Sequence, residues 1–222
     1  MYKQRPNSAA GRVRTRPAGR TRLQQEQKDA TRDRLLQAAA AVFAERSYVA
    51  TTVEEIIQRA GASRTSFYRH FDSKWAVASA LCGEVMPAVW QLWHELAATG
   101  QPTEAQVVAW LERRLALYQS HRVLFEVLKE AVAIEPVGLQ AVDATHDETI
   151  GILAKGIPAF ALATGKAPGT HEIQIRAHLL MIQLDEFNYL LAVRGWNVDR
   201  ALATRIMAQQ FLRFIEETGD AS

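Results

Sequence analysis

The 222-residue chain has a single cysteine, Cys82. A disulfide within the chain is therefore excluded, and the composition suits a reducing compartment. Cys82 lies in an apolar run and reads as a small buried hydrophobe. No apolar stretch approaches the roughly 18 uninterrupted residues of a membrane span, and no apolar segment follows the basic residues near the N-terminus. Neither a membrane span nor a secretory signal is expected, and the chain is expected in the cytoplasm. Glycine-rich phosphate loops, paired cysteine motifs and a His-Glu-x-x-His pattern are absent, as are strand-like alternation and internal repeats. Catalysis has little support, and no cofactor or metal is expected. The Asp-x-x-His spacing of Asp143 and His146 reads as a surface pair, because a di-iron bundle needs Glu-x-x-His twice on inward faces. Asp185 and Glu186 are the one acidic pair inside an apolar helix, but neighbours on a helix point about 100° apart, a poor geometry for shared acid and base work.

Charge is present and unevenly placed. Residues 1–74 hold 15 Lys and Arg against 7 Asp and Glu, and residues 75–222 hold 11 against 17, so a net charge of +2 conceals a basic first part and an acidic remainder. Such a split suggests that the first part meets a polyanion. Residues 1–22 contain Arg20, Arg22 and five other basic residues with no acid. They read as a basic arm, disordered when free and running to about residue 26, rather than as a transit peptide.

From Gln27 to Arg46, Leu35, Leu36, Ala39, Val42 and Phe43 recur at helical steps and mark an amphipathic first helix. Thr52 and Glu55 have the spacing of a capping box, which starts a second helix at Val53 and ends it at Gly61. Ser63 suits the cap of a third, seven-residue helix, and Asp72 or Ser73 that of a fourth. Three short helices with a Gly-Ala-Ser turn between the last two have the layout of a helix-turn-helix. Phe67 and Phe71 then pack onto Phe43, Val53, Ile56 and Ile57, and the rest of the third helix faces outward. Arg64 can bridge a guanine, and Thr65 and Ser66 are short enough for close approach to bases. Tyr68, His70, Lys74 and Thr52 suit phosphates.

The stretch "TTVEEIIQRAGASRTSFYRHFDSK", preceded by "AAAVFAERSY", resembles the DNA-binding domain of TetR-family transcriptional regulators over about residues 30–80. The family carries a Gly-x-Ser turn leading into a Phe/Leu-Tyr-x-x-Phe-x-x-Lys signature; Trp75 stands where an acidic residue is common. The resemblance implies an all-helical homodimer, a C-terminal domain that binds a small effector, and a dimer interface built from the last two helices. It also implies DNA contacts at Thr52, Arg64, Thr65, Ser66, Tyr68, His70 and Lys74.

The expected organisation is all-α: an arm at 1–26, a helix-turn-helix domain at 27–74, and a larger helical effector-binding and dimerisation domain at 75–222. Further helices are expected at about 73–98, 103–131 with a break near Ser120 and His121, 136–163, 171–194 and 199–217, with Pro87 and Pro158 kinking or breaking two of them. Leu179 to Val193 is apolar nearly all round, and Leu202 with Ile206 forms a different stripe from Met207, Phe211 and Phe214, so one stripe can face the core and the other a partner. Met86, Trp90, Trp93, Trp110, Tyr118 and Phe125 concentrate aromatic surface in the middle of the domain. Asp185, Glu186 and Asn188 add polar groups that would be costly in a dry core and that either hold the polar end of a lipophilic or aromatic effector bearing a hydrogen-bonding or cationic group, or line the dimer seam. The expected function is a ligand-responsive repressor, homodimeric on an inverted-repeat operator. A non-sensing architectural DNA binder ranks below it, because some 148 residues exceed what dimerisation needs, and a helical-bundle enzyme ranks lower still.

Overall fold

The computed structural model describes residues 18–165 and 170–219, and among these every regular element is helical. Helix α1 covers Ala18–Ala50, α2 Val53–Ala60, α3 Arg64–His70 and α4 Lys74–Ala97. Beyond them lie α5 (Glu104–Ser120), α6 (Arg122–Ile134), α7 (Gly138–Leu153), α8 (Pro158–Ala163), α9 (Thr170–Asn188), a π-helical turn (Tyr189–Val193) and α10 (Arg200–Gly219).

Local chemistry accounts for most boundaries. Thr52 caps α2 reciprocally with Glu55, and Gly61 ends the helix at φ 59°, a left-handed conformation that glycine adopts without steric cost. Ser63 and Ser73 cap α3 and α4 by accepting from the Ser66 and Ala76 amides. Helix α1 starts well before Gln27: residues 18–26, expected in the arm, are helical, and Arg22–Glu26 and Gln25–Asp29 pairs at i, i+4 support the extension. Residues 1–17 lie outside the described residues. Near its far end α1 is interrupted at Ser47, whose φ of 69° is unusual for a residue with a Cβ. Thr51 Oγ1 donates to the Ser47 carbonyl at 2.6 Å and helps hold this bend.

Two expectations need correction and one is met. Pro87 does not break α4. It and Gly83, four residues earlier, are both exposed, so the carbonyl that loses its N–H partner is left to water. As expected, Pro158 breaks the segment over 136–163, where it starts α8 as its first residue. The turn before it runs against the end of α4, and a Cβ on Gly156 would sit 1.9 Å from the Ala97 carbonyl oxygen, so only glycine fits. The helix expected over 171–194 changes to a π-helical turn after Asn188, closed by the Arg194 amide on the Tyr189 carbonyl at 3.0 Å.

Two cores result. The first gathers Leu35, Leu36, Phe43 and Tyr48 of α1 with Ile56, Phe67 and Phe71. It continues into Val77 and Ala78 of α4 and Val127 and Ala131 of α6, so it reaches past residue 74, where the sequence had placed a boundary. The second is built from α4, α5 and α7 to α10 around Trp93, Trp110, Leu111, Phe160, Met181 and Phe211. Helix α6 touches both, since its Leu124 and Phe125 pack against the second.

Candidate DNA-reading helix and effector cavity

Full burial of Phe67 and near-full burial of Phe71 fix how α3 is turned, each such ring contributing about 1.5–3 kcal/mol. What α3 then presents outward is polar. Arg64, Thr65 and Tyr68 are exposed and Ser66 is half-buried. Arg64 pairs with Glu54 of α2 and lies 5.4 Å from the Tyr68 ring centre, so its guanidinium is held at the start of α3. Tyr68 stands edge-on to Phe67 with its hydroxyl end outward. His70 is half-buried; burial first, then the charges of Lys28, Arg69 and Arg32, push its pKa below the ordinary histidine value.

Two residues assigned to phosphates have other partners. The Thr52 hydroxyl donates to Glu55 Oε2 at 2.9 Å within the capping box, although the residue remains exposed. Lys74 turns toward the bend at the end of α1: its Nζ donates to the carbonyls of Tyr48 at 2.7 Å and Thr51 at 2.8 Å and sits 4.2 Å from the Tyr48 ring centre. Burial lowers its pKa, against the pull of Glu135, Glu130 and Glu55. Arg22 is exposed and bonded to Glu26, and the Arg20 side chain lies outside the described residues.

The aromatic residues of the second domain surround a cavity of about 370 Å³. Met86, Trp90 and Trp93 of α4, Tyr118 of α5, Phe125 of α6 and Asp185 of α9 all line it, as do Trp75 and Cys82, whose thiol is pushed up to about 12 by burial. Cys82 is therefore half-buried against open space rather than packed in a core. Tyr118 and Phe125 stack at 3.8 Å between ring centres. Trp110 and Asn188 do not line the cavity. Trp110 lies behind Trp93 and donates its Nε1–H to the Leu92 carbonyl at 2.9 Å, and Asn188 is fully buried with Nδ2 bonded to the Leu184 carbonyl at 2.6 Å.

The polar end of this cavity is a network that the sequence reading missed. Arg114 is only 2% exposed and lies over the Trp93 ring at 4.4 Å. Its Nη2 donates to Asp185 Oδ1 at 2.9 Å, the Tyr118 hydroxyl reaches the same oxygen at 3.3 Å, and His146 Nε2 donates to Oδ2 at 3.0 Å. Burial works to raise the Asp185 pKa, but the His146 hydrogen bond and the Arg114 charge outweigh it and hold the carboxyl below its ordinary value. His146, expected in a surface pair with Asp143, is buried instead. Glu186 diverges from Asp185 as expected and pairs with Lys129 outside. A signal for Arg114 was available: it sits four residues from both Trp110 and Tyr118, on the apolar face of α5, and a charge there needs a buried partner.

The last two helices carry the division of stripes read from the sequence. Met207, Phe211 and Phe214 are buried in the core, while Leu202 and Ile206 of α10, like Leu179 and Ile182 of α9, are about half exposed.

Comparison with known proteins accounts for the first domain. Residues 35–81 match bacterial regulatory proteins, tetR family. Over that stretch, which holds the helix-turn-helix, the chain is similar to the TetR family. The HTH-type transcriptional repressor KstR2 of Rhodococcus jostii (strain RHA1) is 35% identical over 82 residues, 37% of this chain and 40% of that protein. The HTH-type transcriptional activator FasR of Mycolicibacterium smegmatis (strain ATCC 700084 / mc(2)155) is 44% identical over 69 residues, 31% of this chain and 32% of that protein. The matched stretches thus span well under half of these relatives. A transcriptional regulator (TerR/AcrR family) from Aquifex aeolicus VF5 shares the fold, with a TM-score of 0.53 and 18% identity over 83% of this chain and 99% of that one. The described residues are all-α, and the match to TetR-family regulators falls on their N-terminal helix-turn-helix. Among its described residues no helix is long and apolar enough to cross a membrane.

Proposed function

We propose that the protein is a cytoplasmic, ligand-responsive repressor that binds an inverted-repeat operator as a homodimer. The observation that carries the reading is α3: a seven-residue helix pinned by Phe67 and Phe71 whose remaining surface is Arg64, Thr65, Ser66 and Tyr68. Arg64 is proposed to read a guanine on release from Glu54, with Thr65 and Ser66 beside it. Tyr68, His70 and the N-terminus of α2 at Thr52 are proposed to hold phosphates. Arg20 and Arg22 are proposed to add screened, sequence-independent attraction. Lys74 is proposed to act by fixing the bend that carries α2 and α3.

The homodimer is proposed to form through α9 and α10, where Leu179, Ile182, Leu202 and Ile206 are large apolar residues about half exposed. The cavity beneath Trp90 and Trp93 is proposed to take a lipophilic effector that favours a form in which the two copies of α3 no longer match the groove spacing. A tenfold loss of operator affinity needs only about 1.4 kcal/mol of differential binding. The test is a footprint on DNA recovered by selection from random duplexes, followed by single-base competition. Arg64→Ala is expected to relax preference at one base pair by about 1–3 kcal/mol and leave the others intact. Uniform weakening at all positions would remove Arg64 from base reading.

A further inference from the structure

We infer that the effector is an uncharged molecule with an apolar, ring-bearing body and a carbonyl-type oxygen acceptor. This rests on the reading of the cavity as an effector site and concerns what the cavity asks of its occupant. Spare hydrogen-bonding capacity at its polar end sets that demand.

Asp185 has about one acceptor site left, on a side chain that is 43% exposed. Its Oδ1 already takes the Arg114 Nη2–H and the Tyr118 hydroxyl, and its Oδ2 takes His146 Nε2–H. Its charge is met by Arg114 at 2.9 Å. An ammonium group entering the cavity would share Asp185 with the guanidinium beside it, and its pairing with Glu148, which is exposed, would be screened by water. Donors are what remain unpaired. Among the described residues, Arg114 Nε and Nη1 and Trp90 Nε1 are buried without a hydrogen-bond partner, and both residues line the cavity. Guanidinium and indole nitrogens donate and never accept, so only an acceptor satisfies them. Buried N–H groups in native proteins are rarely left unpaired, and an occupant bearing an oxygen supplies the missing partner.

Charge then separates carbonyl from carboxylate. The Arg114 charge is already balanced by Asp185, and Glu148 also lines the cavity, so an anion would enter beside two carboxylates with no free cation to neutralise it. The remaining wall is supplied by Trp75, Met86, Trp93 and Phe125, which suit a flat apolar body. A volume of about 370 Å³ lies within the range of small-molecule sites.

Four para-substituted biphenyl probes of one shape test the inference on the full chain: the hydrocarbon, the acetyl ketone, the carboxylate and the aminomethyl cation. Trp75, Trp90 and Trp93 report binding by fluorescence quenching, and the melting temperature checks it independently. The ketone is expected to bind about tenfold more tightly than the hydrocarbon and than either ion, the value of one well-made hydrogen bond. Trp90→Phe removes the donor together with part of the ring, and is expected to weaken every probe but to cut the ketone's advantage over the hydrocarbon, read from the melting temperature. Tightest binding by the ammonium or the carboxylate, or a ketone no better than the hydrocarbon, overturns the ligand class and leaves the effector cavity standing. Failure of all four to bind overturns the ligand class and counts against the effector cavity as well.

Discussion

The backbone amide of Tyr48, at the bend that ends α1, donates to the carboxylate of Glu130 on α6 at 2.9 Å. The same Oε2 accepts the Val49 amide at 3.1 Å, and Glu135 receives the Tyr48 hydroxyl. Tyr48 also stacks against Lys74 and lends it a carbonyl, so the frame that carries α2 and α3 is tied to the helix that walls the cavity through Phe125. Glu130→Gln is expected to lower stability by about 1–2 kcal/mol, since a carboxylate holding two amides is exchanged for a neutral acceptor. It should also reduce the ratio of operator affinities without and with ligand. Urea unfolding and paired binding isotherms measure both, and an unchanged ratio would remove this contact from the transmission of the signal.

Lys74 and Tyr68 should separate stability from DNA binding. Lys74→Met loses two bonds to carbonyls and a cation over a ring, and is expected to cost about 1–3 kcal/mol in unfolding experiments. Tyr68→Phe loses only an outward hydroxyl and is expected to leave unfolding unchanged while weakening specific and random DNA alike. A Lys74→Met chain that unfolds like the parent would return its ammonium to the phosphate-binding set.

The partner face should respond at Ile206 and not at Phe211. Ile206→Glu places a charge on a half-exposed apolar residue and is expected to yield folded monomers at micromolar concentration in sedimentation experiments. Phe211→Glu buries a charge in the core, where the ring is fully enclosed, and is expected to unfold the chain instead. A dimer that survives Ile206→Glu paired with Leu179→Glu would move the interface elsewhere.

Acid sensitivity follows from Asp185. Its folded pKa lies below the ordinary value of 3.8, so the unfolded chain binds its proton more readily and stability falls as pH drops through and below that value. Above it the contribution is fully present. Asp185→Asn is expected to be less stable at neutral pH, with Arg114 left unbalanced, and to lose less on acidification below pH about 4 than the parent. Parallel acid limbs for the two chains, in melting temperature against pH, would contradict this assignment.

Much of the first domain was legible because short-range chemistry decides it. Thr52 with Glu55, Gly61 and Ser63 set helix ends within a few residues of themselves, and Phe67 with Phe71 gives the buried side of α3 at once. The cavity was half legible: aromatic spacing located Trp90, Trp93, Tyr118 and Phe125, but equally admitted Trp110, which packs one layer behind. Arg114 and His146 escaped because their partner, Asp185, lies 71 and 39 residues away, and no local pattern announces such a pairing. The role of Lys74 escaped for the same reason, since its acceptors are carbonyls that only the bend at Ser47 brings within reach.

Competition between selected and random duplexes at physiological salt tests the central claim most directly. The account predicts enrichment of an inverted repeat with half-site centres roughly 34–36 Å apart, one dimer per site. It predicts affinity for that sequence about 10³-fold or more above random DNA. Equal affinity for the enriched and random duplexes, or a site bound by one copy of the chain, would contradict it.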